Sequence, residues 1–345
     1  MTDSPKSGSR LRVAVAGSTG YAGGSCVDLL LGHPEVELVQ VGSRSHPGQL
    51  HRNVYPGSSC DLILQPEVDA ANCDVVVSAL SPGQAARSAP AWLDQGATVI
   101  DISADFRLRD PALFRTWYGE VHPAPHLLPQ AVMALPELAP EAIAGANLLA
   151  LPGCFSTAAI LACGPAAMTH LVEPEVVVDA KTGVSGAGRT AGEAFLYSEL
   201  SESMTAYGVG GHRHLPEMEQ TLTDLAGGRF AVTFVPHLAP MSRGIVATCY
   251  LRPLPGVTLG QLRSAYLERY DGQPFVTVGD RPTPSKLASY TNHCFLSLHQ
   301  QGAHVIVCAV LDNLGRGASS QAIQVLNQRF QLDPMSGLKG GPKWP

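Results

Sequence analysis

The chain has 345 residues, 45% of them hydrophobic, enough to build one large core or two ordinary ones. Charged residues are 15% and the formal net charge is −6, with no basic stripe interleaved with aromatics, which argues against nucleic acid as a partner and for small molecules. No apolar run reaches the roughly 18 residues needed to span a bilayer, and the polar stretch from Met1 to Arg10 lacks the apolar centre of a secretory signal, so no membrane contact is expected.

Residues 11–16, Leu-Arg-Val-Ala-Val-Ala, read as a short apolar strand. Gly17-Ser18-Thr19-Gly20-Tyr21-Ala22-Gly23 follows at once and leads into a helical run. Strand, glycine turn and helix in that order let backbone N–H groups cradle a pyrophosphate. The glycines are spaced GxxGxxG and not GxGxxG, a weak signal that gains weight from its place after the first strand. Further strands are predicted over 37–41, 75–80 and 98–102, with a helix over 83–95 between the last two. This alternation predicts β-α-β units in a Rossmann-type, doubly wound parallel sheet.

The end of the second strand bears on the cofactor. A site for NAD usually places Asp or Glu there to accept from the ribose 2′-OH, whereas this chain reads Val-Gln-Val-Gly-Ser43-Arg44. Nothing in that stretch repels a 2′-phosphate; Ser43 can donate to one and Arg44 can pair with it, so NADP(H) is expected. The loops Ser81-Pro82-Gly83 and 103–107 also lie where such a sheet binds its ligand.

Residues 147–157, Asn-Leu-Leu-Ala-Leu-Pro-Gly-Cys-Phe-Ser-Thr, form an apolar strand that breaks at Pro152-Gly153 and delivers Cys154 to the start of an apolar helix. A thiol there faces unpaired N–H groups and the positive end of the helix dipole, both favouring thiolate. Cys154 is the expected nucleophile. The other seven cysteines, Cys26, Cys60, Cys73, Cys163, Cys249, Cys294 and Cys308, have no CxxC or metal-ligand spacing, as expected of free thiols in a reducing cytoplasm.

Beyond residue 150 the chain becomes richer in strands, predicted over 175–180, 229–235, 244–251, 275–278, 294–300 and 304–311. Their partial alternation suits a second α+β domain whose mixed sheet has one covered face. A last helix is predicted over about 317–330, and the tail 337–345 reads as loop.

Two stretches in this half are dense in chemistry. His212-Arg213-His214-Leu215-Pro216-Glu217 holds a general base, a cation for an anionic substrate and a carboxylate within six residues. Lys-Thr-Gly-Val-Ser185-Gly186-Ala-Gly-Arg189 (181–189) is flexible backbone around two cations, either an anion nest or an ordinary wide turn. The spacing of His212, His214 and His237 supplies no ligand set, so no metal is expected.

Taken together, Gly-Ser-Thr-Gly-Tyr-Ala-Gly (17–23), Asp-Ile-Ser-Ala-Asp-Phe-Arg (101–107), Leu-Pro-Gly-Cys-Phe-Ser-Thr (151–157), the 181–189 stretch, His-Arg-His-Leu-Pro-Glu (212–217), Pro-His-Leu-Ala-Pro-Met-Ser-Arg-Gly (236–244) and Asp-Asn-Leu-Gly-Arg-Gly-Ala (312–318) resemble the N-acetyl-gamma-glutamyl-phosphate reductase family. This family is related to the aspartate-semialdehyde dehydrogenases. The resemblance implies NADPH-dependent reduction of an acyl phosphate to an aldehyde in arginine biosynthesis. It implies Cys154 as nucleophile, His214 or, less favoured, His212 as acid/base, Glu217 as an orienting or substrate-contacting carboxylate, and Asn313 near the nicotinamide. Arg107, Ser185, Gly186, Arg189 and Arg213 are the residues expected to meet the substrate. The last helix is implied to return to the nucleotide domain, giving 1–150 plus about 316–345 as one domain and 151–315 as a catalytic and oligomerisation domain, in a dimer or tetramer.

Leu151, Phe155, Arg316 and Ser319-Ser320 depart from the commoner family residues without removing a group the chemistry needs. The rival readings are a reductase of aspartyl or carrier-bound aminoadipyl phosphate, and a non-catalytic NADPH-binding regulator.

Overall fold

The computed structural model describes residues 10–190, 192–338 and 340; the expectations for Met1 to Ser9 and for most of the tail lie outside them. The chain divides into two compact units, Met1–Pro152 with Ala318–Lys339, and Gly153–Gly317 with the last residues.

The first unit is built on six strands: β1 (Leu11–Ala16), β2 (Val36–Gly42), β3 (Val75–Ser78), β4 (Thr98–Asp101), β5 (Val132–Met133) and β6 (Leu148–Ala150). All pair in parallel, in the order β2-β1-β3-β4-β6-β5. Runs such as Val75-Val76-Val77 and Thr98-Val99-Ile100 are buried throughout, as a sheet covered on both faces demands. The order reverses between β1 and β3, and at such a switch point the carboxyl ends of the strands open a crevice for ligands. The glycine turn leaves β1 at that end and the 79–83 loop leaves β3.

Small residues set how closely the helices approach. Ala85, Ala86, Ala89 and Trp92 of the helix Gln84–Asp94 pack on Ala14, Ala16, Val76, Val99 and Ala150 in one core cluster. The start of this helix is held by the buried Asp105, whose carboxylate accepts from Gly83 N at 2.7 Å and Ala86 N at 2.8 Å. Burial pushes the Asp105 carboxyl up, and burial followed by the charge of Asp105 raises Asp101 to about 7.

The second unit carries seven strands: β7 (Val172–Thr182), β8 (Thr205–Ala206), β9 (Ala231–Leu238), β10 (Ile245–Pro253), β11 (Val276–Gly279), β12 (Cys294–Gln301) and β13 (His304–Leu311). Their order is β11-β12-β13-β10-β7-β9-β8, with β7–β9 and β11–β12 parallel and the rest antiparallel. Along β10, buried residues alternate with half-buried ones. The helix Cys154–Met168 packs on β7, β10 and β13, and its residues Phe155 to Ala167 are all buried. A helix apolar on every side belongs in a core.

The last helix begins later than predicted, at Ser320, after a single π-helical segment over Gly315–Ser319. Pattern reading also missed the helices Leu215–Ala226 and Leu259–Arg269 and the two-residue strands β5 and β8.

Gly23 is a position where the first unit has no room for a side chain. A Cβ there would sit 2.2 Å from the carbonyl oxygen of Gly17, itself at φ +78°, so the helix can close on the turn only without a side chain. Gly23→Ala is expected to destabilise the protein by about 1–3 kcal/mol, as overpacking against backbone does. Gly145→Ala, where nothing lies within 4 Å, should not lower the urea midpoint. Equal midpoints for the two variants would contradict this account of the turn.

Candidate active site

In the first unit the glycine turn is braced from beneath. Gly17 N and Ser18 N both donate to the carbonyl of Gly42, at 3.1 and 2.9 Å, and Ser18 Oγ donates to the same oxygen. Ser18 is fully buried, so its hydroxyl anchors the turn to β2 and is not presented to a ligand. Buried His51 holds the turn from the other side, its Nε2 donating to Ser18 O at 3.0 Å. Gly20 begins the helix Tyr21–Leu31 with no side-chain cap, leaving its first-turn N–H groups to an anion. This is a cradle that fits a pyrophosphate.

Beside it lies a cavity of about 440 Å³ lined by Gly17, Ser43, Arg44, Glu67, Arg87 and Trp92 among others. Thr19 Oγ1 and Ser43 Oγ are hydrogen bonded at 2.9 Å. The 39–44 stretch itself holds no acidic residue, but Glu67, from farther along the chain, reaches Arg44, Oε1 to Nη2 at 3.0 Å. Residue 67 lies too far along the chain for the local sequence to reveal this. Ser81 and Pro82 sit exposed at the end of β3, and Leu80 is the residue of that loop lining the cavity. Arg107 belongs to this unit, is 9% exposed and donates to Ile102 O at 2.7 Å.

In the second unit, Cys154 is the first residue of its helix, capped by Gly153 without a side-chain hydrogen bond, and is not buried. It opens on a cavity of about 730 Å³ shared with Phe155, Tyr207, His212, Arg213 and His214. Two glycines let backbone pack closely beside it. A Cβ on Gly153 would fall 2.2 Å from His214 Nε2, and one on Gly317 2.6 Å from Cys154 Cβ.

Glu217 is fully buried; its Oε2 accepts from Gly153 N at 3.0 Å and Ser156 Oγ at 2.8 Å. The carboxylate expected to orient an imidazole or touch substrate thus braces the start of the cysteine helix, and it is not among the residues facing the cavity.

The two imidazoles differ. His212 packs edge-on to Phe155, Phe234, Tyr207 and His214, and its Nδ1 accepts from His214 N at 3.1 Å. The neutral ring therefore carries its proton on Nε2. Burial, then the charge of Arg213, pushes His212 down to about 4. It is a neutral hydrogen-bond donor at physiological pH and a poor proton carrier, which favours His214 for that task.

Tyr207 is the residue that sequence reasoning missed. Gly208 and Gly210, both at positive φ, shape the loop that follows it, and its ring lies 5.6 Å from His212. Burial, followed by the charge of Cys154, raises its phenol, so it stays protonated. The only sequence signal was its place before the glycines.

Other expected site residues are tied within the unit. Asn313 Oδ1 accepts from Gly244 N at 2.8 Å and its Nδ2 donates to Ser185 Oγ at 2.9 Å, so both clamp the 183–188 turn. Gly186 faces the cavity. Arg189 is exposed and does not line it. Arg243 is bound through Nε and Nη2 to buried Asp312. Among the described residues Arg213 is the one guanidinium lining this cavity, and no group of His, Cys, Asp and Glu among them could hold a metal.

His212 gives the site a pH signature. The unfolded ring takes up a proton near its ordinary value of 6.5, whereas the native ring resists until about 4. Its contribution to stability is therefore present above 6.5 and lost as pH falls through that interval. Urea midpoints of His212→Gln should fall less than wild type on acidification across this window; parallel slopes would exclude the assignment.

The chain matches two family descriptions, "Semialdehyde dehydrogenase, NAD binding domain" over residues 12–146 and "Semialdehyde dehydrogenase, dimerisation domain" over 154–313. It is 44% identical to the N-acetyl-gamma-glutamyl-phosphate reductase of Symbiobacterium thermophilum, covering 97% of this chain and 99% of that protein. It is 42% identical to that of Halorhodospira halophila, covering 96% and 98%. Aspartate semialdehyde dehydrogenase II of Vibrio cholerae, solved with ASA, shares the fold with a TM-score of 0.72 at 17% identity, covering 93% of this chain and 98% of that one. The Candida albicans enzyme, solved with NADP, gives 0.71 at 15% identity, covering 94% and 99%. The glycine turn, the cysteine helix and full-length likeness at this level make the chain a member of the N-acetyl-gamma-glutamyl-phosphate reductase family.

Proposed function

We propose that the protein reduces N-acetyl-gamma-glutamyl phosphate to N-acetyl-glutamate 5-semialdehyde with release of phosphate, using NADPH, as a step of arginine biosynthesis. The observation that carries this reading is Cys154, at an uncapped helix start, opening on a cavity with two imidazoles and an arginine. An acyl phosphate is already activated, so Sγ attacks its carbonyl carbon and expels phosphate, leaving a thioester. First-turn N–H groups of the cysteine helix stabilise the oxyanion formed in that attack. Bound at the glycine turn, through Gly17, Gly20 and Gly23 with Ser43 and Arg44 toward the 2′-phosphate, the cofactor supplies hydride. His214 handles the proton when sulfur leaves the reduced carbon, while His212 donates a hydrogen bond from Nε2. Arg213 meets a substrate anion.

The full-length relatives named N-acetyl-gamma-glutamyl-phosphate reductase favour this substrate over aspartyl phosphate. A regulator without catalysis would have no use for a thiol opening on a cavity beside two imidazoles. The half-exposed face of the second sheet, where Val177 is 43% exposed beside Asp179, Lys181 and His237, is read as the surface that pairs with another copy, in line with the dimerisation description. Free cysteines and the absence of a helix long and apolar enough to cross a membrane, among the described residues, support a cytoplasmic location.

The test is phosphate-dependent oxidation of N-acetyl-glutamate semialdehyde with NADP, run beside aspartate semialdehyde. Preference for aspartate semialdehyde would overturn the substrate. Cys154→Ser is expected to lose nearly all turnover while binding NADPH, and turnover within about tenfold of wild type would remove the nucleophile. His214→Asn should cost a factor of about 10²–10⁴; a larger loss in His212→Asn would exchange the two roles.

A further inference from the structure

The geometry points to Glu67 as a built-in competitor for the cofactor's 2′-phosphate, occupying the guanidinium of Arg44 and setting how strongly the site prefers NADPH over NADH. This rests on the reading that Arg44 meets that phosphate.

The pair is not a chance meeting of two loose side chains. The segment before Glu67 runs alongside the end of β2, with Gln65 N donating to Val41 O at 2.9 Å and Ser43 N to Gln65 O at 2.8 Å. The segment after it is fixed from both sides. Gln40 exchanges hydrogen bonds with the backbone of Asp69 at 3.0 and 3.1 Å, and Trp92 Nε1 donates to Val68 O at 3.0 Å. Glu67 is therefore delivered to Arg44 by backbone pairing, and the two line the same cavity.

The second arginine of that cavity is also engaged, Arg87 Nη2 to Glu120 Oε2 at 2.9 Å. Asp69 has donors of its own, Ala71 N and Gln95 Nε2. Glu67 thus holds Arg44 where a phosphate dianion would bind.

Two effects oppose each other. The carboxylate could steady Arg44 for the phosphate, or stand in its way. Side chains of Arg44 and Glu67 are 46% and 73% exposed, and an ion pair this exposed contributes little to orientation. Repulsion between a carboxylate and a dianion sharing one guanidinium acts well within a Debye length, so it outweighs that steadying. NADH, which carries no 2′-phosphate, is indifferent to it.

Titrations of NADPH and NADH at low ionic strength test this. Arg44→Ala should collapse the ratio of NADH to NADPH dissociation constants; if it does not, the placement of the phosphate fails, and the role of Glu67 with it. Glu67→Gln should raise that ratio by about three- to tenfold. In the Arg44→Ala background the same change should gain less than about twofold, since there is no guanidinium left to compete for. With Arg44→Ala behaving as expected, a ratio that falls or holds in Glu67→Gln, or a gain undiminished in the double variant, would overturn the proposal while leaving the cofactor site standing. Matching melting temperatures establish that the variants are folded.

Discussion

The site in the second unit depends on one crowded point, the missing side chain of Gly153. His214 rests its imidazole where a Cβ would be, and Glu217, three residues on, reaches the N–H of the same glycine. Two helices, Cys154–Met168 and Leu215–Ala226, therefore bring their N-termini together at a single residue. Two positive helix ends side by side repel, and the buried carboxylate of Glu217 lies where it offsets both. His214 and the helix start that carries Cys154 are positioned by the same contact. Neither can shift without the other.

Alongside that contact, Glu217, Asn313 and Ser185 are engaged with backbone and with neighbouring side chains in the second unit. Polar groups buried beside a cavity need partners of their own. Asn313, Ser185, Asp312 and Arg243 meet the requirement by bonding one another and the backbone of the 183–188 and 244 turns. The polar residues lining the cavity are Cys154, His212, His214, Arg213 and Tyr207, together with Glu199, Thr182, Ser203 and Thr205. His212 is the intermediate case, facing the cavity yet committed through Nδ1 to the backbone of His214.

Local patterns carried most of the fold. Unbroken apolar runs such as Val75–Val77 read as buried parallel strands, and partial alternation near Thr248–Leu251 read as a sheet with one open face, because both follow from side-chain periodicity alone. The helix Leu215–Ala226 escaped notice because its start was read only for its histidines, although Pro216 and Glu217 are ordinary first-turn residues. Leu259–Arg269 escaped despite a capping box between Thr258 and Gln261. In the site, the place of Cys154 at the start of a helix was legible because it depends only on its neighbours in sequence. The Arg44–Glu67 pair, the anchoring of Ser18 to Gly42 and the bond from Asn313 to Ser185 were not, since each joins residues more than twenty positions apart.

Both cavities hold arginines, but they use charge differently. Charged residues are few, 15% in all, and in the nucleotide cavity each arginine already has a glutamate partner. A cationic cavity would bind any polyanion of the right size, whereas one whose guanidiniums are occupied is biased toward a ligand that exceeds a carboxylate in charge and in number of acceptors. On the proposed placement of the 2′-phosphate, a phosphate monoester would meet that condition at Arg44 better than a carboxylate. The same occupancy weakens the hold on the 2′-phosphate and narrows the margin over NADH, which has nothing to displace. A negative residue in an anion site therefore trades affinity for the intended anion against exclusion of weaker ones, and a cofactor that must leave after each hydride transfer tolerates that loss of affinity.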